Sequence, residues 1–316
     1  MVDEAITILL PHNTSEEVIA QVRALALLVR IVDADALSKH PELVEEVDIC
    51  FGYIRPELLM RARRLRWIQT LGAGVEWLLT PEIKVSPVII TNVHIHGESI
   101  AEHLFGMLLM LTRRLHEAYR LQMEERWGPI EGIDLLAGKT LGIIGTGVIG
   151  SRTAEVGTAF GMRVLGMRRS GKEQPPYAIM YTPDQKAEML PQCDVLILAM
   201  PLTAETVHFI GAEELALLPP GALILNIGRG KLIDTDALVD ALRTGHLGGA
   251  GLDVVDPEPL PVGHPLWKMP NVIITPHNAG MYPGYYADAI QIFLKNLRRY
   301  LAGEPLINVV DKERGY

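Results

Sequence analysis

The sequence predicts an α/β protein with two doubly wound, Rossmann-like domains, each built on a parallel sheet. Three observations support this fold class. Strand-like and helix-like segments alternate along the chain, a glycine-rich strand-to-helix turn lies near its middle, and 316 residues exceed the size of one typical domain. Strands that alternate with helices form βαβ units, in which the strands are parallel and the crossovers right-handed.

The N-terminal third carries the first alternation. ITILLP (6–11) predicts a strand, and Thr14 with Glu17 forms a capping-box pattern at the start of helical EEVIAQVRALAL (16–27). Helical segments such as PELLMRARRL (56–65) then separate further predicted strands: LVRIV (28–32), VDICFGY (47–53), LRWIQTLGAG (65–74) and VIITNV (88–93).

A long apolar helix is predicted next, SIAEHLFGMLLMLTRRLHEAYRLQ (99–122), and we expect it to pack between domains or subunits. A polar linker (124–139) leads into the second alternation, with helices after the central glycines, at TDALVDALRTG (235–245) and at YYADAIQIFLKNLRRYLAG (285–303). Its predicted strands are TLGIIG (140–145), RVLGM (163–167), DVLILAM (194–200), ALILNIG (222–228), GAGLDV (249–254) and NVIITP (271–276).

Composition excludes several classes of protein. A net charge of −9 without a basic stripe argues against a nucleic-acid partner. The opening MVDEAITILLP lacks the basic region of a secretory signal, and no apolar run approaches the ~20 residues that span a membrane. Cys50 and Cys193 each lie in a strand-like apolar run, as expected of buried thiols in a reducing cytoplasm rather than of a disulfide.

The central turn, LGIIGTGVIG (141–150), predicts a dinucleotide site. Gly145, Gly147 and Gly150 have the G-x-G-x-x-G spacing between a strand and a helix, which suits a tight turn, close approach of a pyrophosphate and close helix–strand packing. Val148 and Ile149 open the helix, whose N–H groups and positive dipole end face the phosphates. A plain glycine-rich turn is the alternative interpretation.

The next strand end, VLGMRRS (164–170), bears on the choice of nicotinamide cofactor. An acid that binds the ribose 2′-hydroxyl is expected about 20 residues after the glycines. Arg168 stands there instead, followed by Arg169 and Ser170. Guanidinium groups bind a 2′-phosphate, which an acid would repel. The sequence therefore favours NADP(H), with NAD(H) possible; a merely solvated surface is the alternative.

Three later stretches contain candidate catalytic residues: LILNIGRGKLIDTDALVDAL (223–242), GAGLDVVDPEPLP (249–261) and VIITPHNAG (272–280). With the glycine turn, PLTAETVHFIG (201–211) and LGAGVEWL (71–78), they closely resemble the D-isomer-specific 2-hydroxyacid dehydrogenase family over essentially the whole chain. The resemblance implies two domains, a substrate domain of flavodoxin-like fold (1–98 plus 286–316) and a dinucleotide-binding Rossmann domain (99–285), with the active site in the cleft between them.

The resemblance also implies roles for individual residues. Arg229 would bind the substrate carboxylate, His277 would protonate the carbonyl oxygen, and Glu258 would pair with this histidine. These residue types suit the roles, because arginine presents a planar fork and histidine exchanges protons near neutral pH. Further residues would contact the cofactor (Met200, Pro201, Thr206, Ile227, Asp253) or, together with Arg229 and His277, the substrate (Ala73, Gly74, Val75).

Two other features admit more than one interpretation. His94, His96 and Glu98 alternate, so on a strand they would project to one side and could bind a metal. The resemblance instead implies a hinge segment in a family that uses no metal. A second group, Tyr53 with tyrosines 282, 285 and 286, would line a pocket for the substrate's side chain or simply pack against helices.

The resulting functional prediction is the NADPH-dependent reduction of a 2-keto acid, such as glyoxylate or hydroxypyruvate, to a D-2-hydroxy acid by a homodimer joined through its cofactor domains. Formate and phosphoglycerate dehydrogenases are related alternatives. The formate enzymes have a glutamine where Glu258 stands, so Glu258 favours a hydroxy acid. Nucleotide-sensing corepressors of the same fold are a third alternative, of a different functional class.

Overall fold

The structure is a computed structural model that describes residues 5–12, 14–25 and 28–316. The described residues form two compact units, one with the chain up to Ile95 together with Tyr282–Tyr316, the other with His96–Met281. Each unit contains one parallel sheet flanked by helices, which confirms the predicted α/β class.

Among the described residues of the first unit, the strands pair in the order β2-β1-β3-β4-β5, all parallel. This order is that of flavodoxin-like sheets. Its strands are β1 (Ile6–Leu10), β2 (Val29–Asp33), β3 (Ile49–Phe51), β4 (Trp67–Gln69) and β5 (Ile89–Thr91).

In the second unit the order is β12-β11-β10-β9-β6-β7-β8, again parallel throughout. The order reverses direction beside β6, and open α/β sheets bind their ligands at such a switch point. The strands are β6 (Thr140–Ile144), β7 (Arg163–Met167), β8 (Ile179–Tyr181), β9 (Val195–Leu198), β10 (Ala222–Asn226), β11 (Leu247–Leu252) and β12 (Val272–Ile274).

Helices cover the sheets of both units. In chain order they are α1 (Glu16–Leu25), α2 (Ala34–Lys39), α3 (Pro56–Leu59), α4 (Pro81–Val85), α5 (Gly97–Thr112), α6 (Leu115–Met123), α7 (Val148–Ala159), α8 (Lys186–Met189), α9 (Ala212–Leu217), α10 (Thr235–Arg243) and α11 (Tyr285–Leu301). Among the described residues, no helix has the length and apolar character needed to cross a membrane.

Both faces of each sheet are buried, which explains the continuous apolar runs of the strands. In β1, Ile8 and Leu10 belong to one apolar cluster and Leu9 to another, because successive side chains of a strand point to opposite faces. The two cysteine thiols are free and buried, and burial raises the pKa of Cys50 and of Cys193 to about 12.

The predicted helix 99–122 is wrong in its continuity. The chain forms α5 and α6 instead, separated at Arg113 and Arg114, and Arg114 adopts a left-handed conformation with φ 52°. Within the second unit, α5 lies against α7, β11 and β12. No side chain of α6 is buried among the described residues.

Local details of other predictions are corrected as well. The hydroxyl of Thr14 donates to the Pro11 carbonyl, and Ser15 caps α1 by accepting the Val18 amide at 3.4 Å, so the capping box predicted for Thr14 and Glu17 does not form. The helix predicted at 56–65 is limited to α3, and the end predicted for α1, at residues 26 and 27, lies outside the described residues. Strand β8 and helix α9 were not predicted.

Candidate dinucleotide and catalytic site

The predicted cofactor and catalytic residues of the second unit follow the carboxyl ends of its strands. Because the strands are parallel and paired in register, these ends share one edge of the sheet. In chain order the positions are Gly145 after β6, Arg168 after β7, Met200 after β9, Ile227 and Arg229 after β10, Asp253 after β11 and His277 after β12.

Two of the three turn glycines are required by close backbone contacts. Gly145 has φ 100°, and a Cβ there would lie 2.5 Å from the Ala199 carbonyl oxygen. A Cβ on Gly150 would lie 2.0 Å from the carbonyl oxygen of Gly145. By contrast, nothing lies within 4 Å of the Cβ position of Gly147, so open space borders the backbone there. The turn, which we call the glycine cradle (Gly145–Gly150), is therefore closed by backbone atoms at Gly145 and Gly150 and open at Gly147.

The helix after this cradle has an N-terminus suited to an anion. Gly147 is its N-cap and provides no side-chain hydrogen bond, and the first turn of α7 contains no acid. Its opening residue Val148 is about half exposed, while the buried Thr146 hydroxyl has no hydrogen-bond partner among the described residues. Unsatisfied N–H groups at the positive end of a helix dipole bind phosphate.

At the end of β7, the two arginines have different partners. Arg168 is partly buried and its Nη1 donates to Gln174 Oε1 at 2.8 Å, whereas the exposed Arg169 forms an ion pair with Glu205 at 2.7 Å. The Ser170 hydroxyl accepts the Lys172 amide at 3.4 Å. Gln174 and Glu205 were not identified from the sequence, because Gln174 belongs to no recognisable motif and Glu205 was given no role within PLTAETVHFIG (201–211).

The loop after β9 is held by Thr206. Its hydroxyl donates to the Pro201 carbonyl at 2.9 Å and accepts the Thr203 amide at 2.7 Å, so Thr206 shapes the loop in this structure. Met200 and Ile227 are buried at the ends of adjacent strands β9 and β10, 8% and 7% exposed.

The loop after β10 holds Arg229 in place through its backbone. Asn226, buried at the end of that strand, donates from Nδ2 to the Arg229 carbonyl at 2.8 Å and accepts the Gly228 amide at 3.0 Å. The side chain of Arg229 donates from Nη1 to the Gly228 carbonyl at 2.6 Å. A Cβ at Gly230 would lie 2.0 Å from the Val255 carbonyl oxygen, so this loop and the one after β11 touch through backbone atoms.

His277 and Glu258 form a pair at this edge. The distance from His277 Nδ1 to Glu258 Oε1 is 2.6 Å, and both side chains are about half exposed. An ionised carboxylate can only accept, so Nδ1 carries a proton and Nε2 is the nitrogen left to exchange one with a reacting group. The histidine backbone has φ 53°, in the left-handed region, and its amide donates to the Asp253 carbonyl at 2.9 Å.

Asp253 anchors the loop that carries His277. This carboxylate is 3% exposed and accepts the Thr275 hydroxyl at 2.6 Å and the amides of Asn278 and Ala279 at 3.0 and 3.1 Å. His103, from α5, lies 2.9 Å from the same Thr275 hydroxyl. The sequence contained a signal for His103, since it is a polar residue within an apolar helix, but its partners are 150 or more residues away.

The predicted substrate loop belongs to the first unit. Asn92 Nδ2 donates to the Ala73 carbonyl at 2.8 Å, and Val75 is buried. Gly74 lines a cavity of about 230 Å³ whose walls include Tyr53 and Trp77, with the two rings 4.7 Å apart.

The other tyrosines considered with Tyr53 do not line this cavity. The hydroxyl of Tyr285 donates to the Leu71 carbonyl at 2.7 Å, and that of Tyr282 donates to Asp288 at 2.6 Å. These two tyrosines therefore hold backbone and side chains in place.

The alternating His94, His96 and Glu98 do not lie on a strand. β5 ends at Thr91, the chain is irregular up to His96, and Glu98 lies in the first turn of α5, where it forms an ion pair with Arg152 at 2.7 Å. Within the described ranges, no three His, Cys, Asp or Glu side chains are grouped to hold a metal ion.

The residues of the second unit fit a bound dinucleotide. The cradle at Gly145–Gly150 excludes side chains and opens beside Gly147, and an uncapped helix begins there. The hydrogen-bonded His277–Glu258 pair and the Arg229 guanidinium belong to loops at the same sheet edge. Together these features define an oxidoreductase that uses a nicotinamide nucleotide.

Comparison with known proteins gives the family. The family model for the D-isomer specific 2-hydroxyacid dehydrogenase NAD-binding domain matches residues 105–279, and the chain belongs to this family. It is an oxidoreductase acting on CH–OH groups. A glyoxylate reductase of Aeropyrum pernix is 34% identical over 296 residues, covering 91% of this chain and 86% of that protein.

Solved structures agree. A D-isomer specific 2-hydroxyacid dehydrogenase family protein from Aeromonas salmonicida superposes with a TM-score of 0.87 at 37% identity, covering 98% of this chain and 100% of that one. An NADPH-dependent glyoxylate/hydroxypyruvate reductase from Sinorhizobium meliloti, in complex with NADP and sulfate, gives 0.86 at 26% identity, covering 99% and 100%.

Proposed function

We propose that this protein reduces a 2-keto acid to the D-2-hydroxy acid with NADPH. The observation that carries the proposal is the placement of Arg229 and the His277–Glu258 pair at the same sheet edge as the glycine cradle. A carboxylate binder and a proton donor are the two groups that reduction of a 2-keto acid requires beside the cofactor.

In this proposal each residue has one task. The Arg229 guanidinium binds the substrate carboxylate and orients the keto group, and protonated His277 donates from Nε2 to the carbonyl oxygen. Glu258, 2.6 Å from Nδ1, stabilises the imidazolium and fixes the ring. The bound cofactor would supply the hydride for the carbonyl carbon. In the reverse direction His277 accepts the hydroxyl proton.

We assign residues 99–285 to the dinucleotide-binding domain, which also carries Arg229 and His277, and residues 1–98 with 286–316 to the substrate domain. Ala73, Gly74 and Val75 are assigned to the substrate through their backbone N–H groups, and the Asn92–Ala73 hydrogen bond of 2.8 Å fixes the orientation of the following peptide. Glycine backbone and loop amides are suited to a carboxylate because they donate without adding bulk.

An activity assay tests the proposed substrate class. Oxidation of NADPH at 340 nm should be measured with glyoxylate, hydroxypyruvate, pyruvate and phenylpyruvate. For Arg229→Lys we expect a KM raised by about tenfold or more and a lower kcat, because lysine cannot form the bidentate pair. Lack of turnover with all four acids would overturn the proposed substrate class.

The preference for NADP(H) is supported by Arg168, Arg169 and Ser170 at the end of β7, where an NAD(H)-specific site has an acid. The NADP complex of the similar Sinorhizobium meliloti reductase adds support. Arg168→Asp should raise KM for NADPH by ~100-fold and lower it for NADH, because it exchanges attraction for repulsion at the 2′-phosphate. Equal changes for both cofactors would contradict this preference.

We also propose a homodimer joined through the cofactor domains. Helix α6 and the segment after it expose large apolar side chains, among them Tyr119, Met123 and Trp127. Exposed apolar surface of this kind is typical of a protein interface. Sedimentation velocity should give about twice the chain mass of 34.9 kDa, and a concentration-independent monomer would contradict the dimer.

A reducing compartment such as the cytoplasm is the location we propose. Cys50 and Cys193 are free and lie in different compact units, each buried in an apolar core. Such thiols are typical of proteins kept in a reducing environment.

A further inference from the structure

A chain of hydrogen bonds joins the end of β7 to the glycine turn. Arg168 Nη1 donates to Gln174 Oε1 at 2.8 Å, Gln174 Nε2 donates to Ser151 Oγ at 2.7 Å, and Ser151 Oγ donates to the Thr146 carbonyl at 3.3 Å. Ser151 lies in the first turn of α7 and Thr146 between the first two glycines. Gln174 therefore connects the arginine to the backbone expected to hold the pyrophosphate.

The orientation of the Gln174 amide is fixed by its neighbours. A guanidinium has only donors, so the amide oxygen must face Arg168 and the NH2 group must face Ser151. Gln174 is partly buried, and the Arg168 amide also donates to the Tyr181 carbonyl at 3.0 Å. The backbone and the side chain of Arg168 are thus both held before any ligand binds.

The adjacent arginine provides the contrast. Arg169 is paired with the carboxylate of Glu205, and both of these side chains are more than half exposed. A carboxylate partner offsets the charge of a guanidinium, and a 2′-phosphate must compete with it. A neutral amide oxygen fixes the guanidinium geometry and leaves its positive charge intact. The two arginines are consequently unequal as phosphate ligands.

We propose that Gln174 is a positioning residue for cofactor selection: it holds the Arg168 guanidinium, still fully charged, toward the 2′-phosphate of NADP(H) and couples it to the glycine turn. This inference rests on the proposed use of NADP(H). Preorganisation lowers the entropy lost when a flexible arginine is immobilised by its ligand, so it contributes affinity without a direct contact.

The test compares binding of NADP+ and NAD+ by titration calorimetry, without turnover. Gln174→Leu removes the acceptor, and we expect Kd for NADP+ to rise about 5- to 10-fold, because the ligand must then immobilise the Arg168 side chain itself. Gln174→Glu keeps the shape but adds a negative charge beside Arg168, and Kd for NADP+ should rise by ~30-fold or more. For both variants Kd for NAD+ should stay within about twofold, the scatter expected without a 2′-phosphate.

Glu205→Gln is the matched control, because it removes a carboxylate from Arg169 while leaving Gln174 in place. We expect it to tighten NADP+ binding by about two- to threefold and to leave NAD+ unchanged. Thermal unfolding of each variant establishes that the cofactor domain is folded at the titration temperature.

The double variant distinguishes positioning from a general structural role. If Gln174 acts through Arg168, adding Gln174→Leu to Arg168→Ala should change Kd for NADP+ no further. Additive losses, or equal losses for NADP+ and NAD+, would overturn the inference. The proposed NADP(H) preference fails by a separate result, namely an unchanged ratio of the two Kd values in Arg168→Ala alone.

Discussion

The two units of the molecule share a parallel α/β architecture, yet their first strand-to-helix turns differ in chemistry. After β1 the chain reads PHNTSEE, and α1 begins with Glu16 and Glu17 in its first turn. After β6 it reads GTGVIGS, and the first turn of α7 contains no acid. Ser15 caps α1 by accepting the Val18 amide, whereas Gly147 leaves α7 without a side-chain cap.

This difference shows that the fold alone does not create a dinucleotide site. At the N-terminus of α1 the Ser15 hydroxyl takes one N–H group and two carboxylates offset the helix dipole. The N-terminus of α7 has neither, and its N–H groups are left for a phosphate. Two sheets of similar architecture therefore differ in whether they can bind a phosphate because of a few residues in the turns before α1 and α7.

The largest effect should come from the edge of the second sheet that carries the candidate catalytic residues. We expect His277→Asn to lower kcat by about 10²- to 10⁴-fold with Kd for NADP+ nearly unchanged, because the variant loses proton transfer only. His40→Asn is the matched control, since His40 forms a similar pair with Glu42 at 3.3 Å in the first unit. A fully active His277→Asn, or an inactive His40→Asn, would contradict the comparison.

A smaller effect is expected when the turn of α7 is made to resemble that of α1. Gly147 has φ −73° and open space at its Cβ position, so Gly147→Ser is compatible with the fold. Its hydroxyl should cap α7 and fill the approach to the backbone, raising Kd for both NADP+ and NAD+ by ~10-fold or more without lowering the thermal midpoint.

The matching change in the first unit is Ser15→Ala. It should reduce stability by ~1 kcal/mol, the usual contribution of such a cap, while cofactor binding is unchanged. Tight cofactor binding by Gly147→Ser would show that the uncapped helix end is not the phosphate site.

The smallest expected effect is on the chemical labelling of the two thiols, Cys50 in the first unit and Cys193 in the second. With pKa values of about 12, both remain protonated at pH 8, so a thiol reagent should label neither until its unit opens. In the unfolded chain the thiols ionise at lower pH than in the folded protein. Their contribution to the free energy of unfolding should therefore keep its full value below about pH 9 and decrease as pH rises toward 12.

Labelling of Cys50→Ser and Cys193→Ser then reports the opening of each unit separately. Rapid labelling of the folded protein at pH 8 would contradict the burial of the thiols. A difference between the two rates would give the relative local stability of the units.

Much of the architecture was predictable because the signals are local. The buried strands are continuous apolar runs, and the cradle has a fixed glycine spacing that backbone contacts demand. The candidate catalytic residues Arg229, Glu258 and His277 were found by resemblance, and the structure joins Glu258 to His277 across 19 residues. No local pattern would have predicted that pairing.

The features that the sequence did not predict correctly have physical reasons. The apolar pattern of 99–122 continues through Arg113 and Arg114, so nothing in its period marks the left-handed residue that ends α5 and orients α6. The partners of Arg168 and Arg169 come from segments 6 and 36 residues further along the chain. Such side-chain pairs depend on how loops fold back, which hydrophobic periodicity does not encode.

The left-handed backbone of His277, with φ 53°, has a consequence for how the protein can evolve. Such a conformation is unfavourable for histidine by ~1 kcal/mol, and asparagine or glycine adopts it more readily. A variant carrying asparagine at this position would therefore be relieved of this cost. Random mutagenesis screened for heat resistance alone should select against the histidine, as expected of a residue kept for the proposed proton transfer rather than for stability.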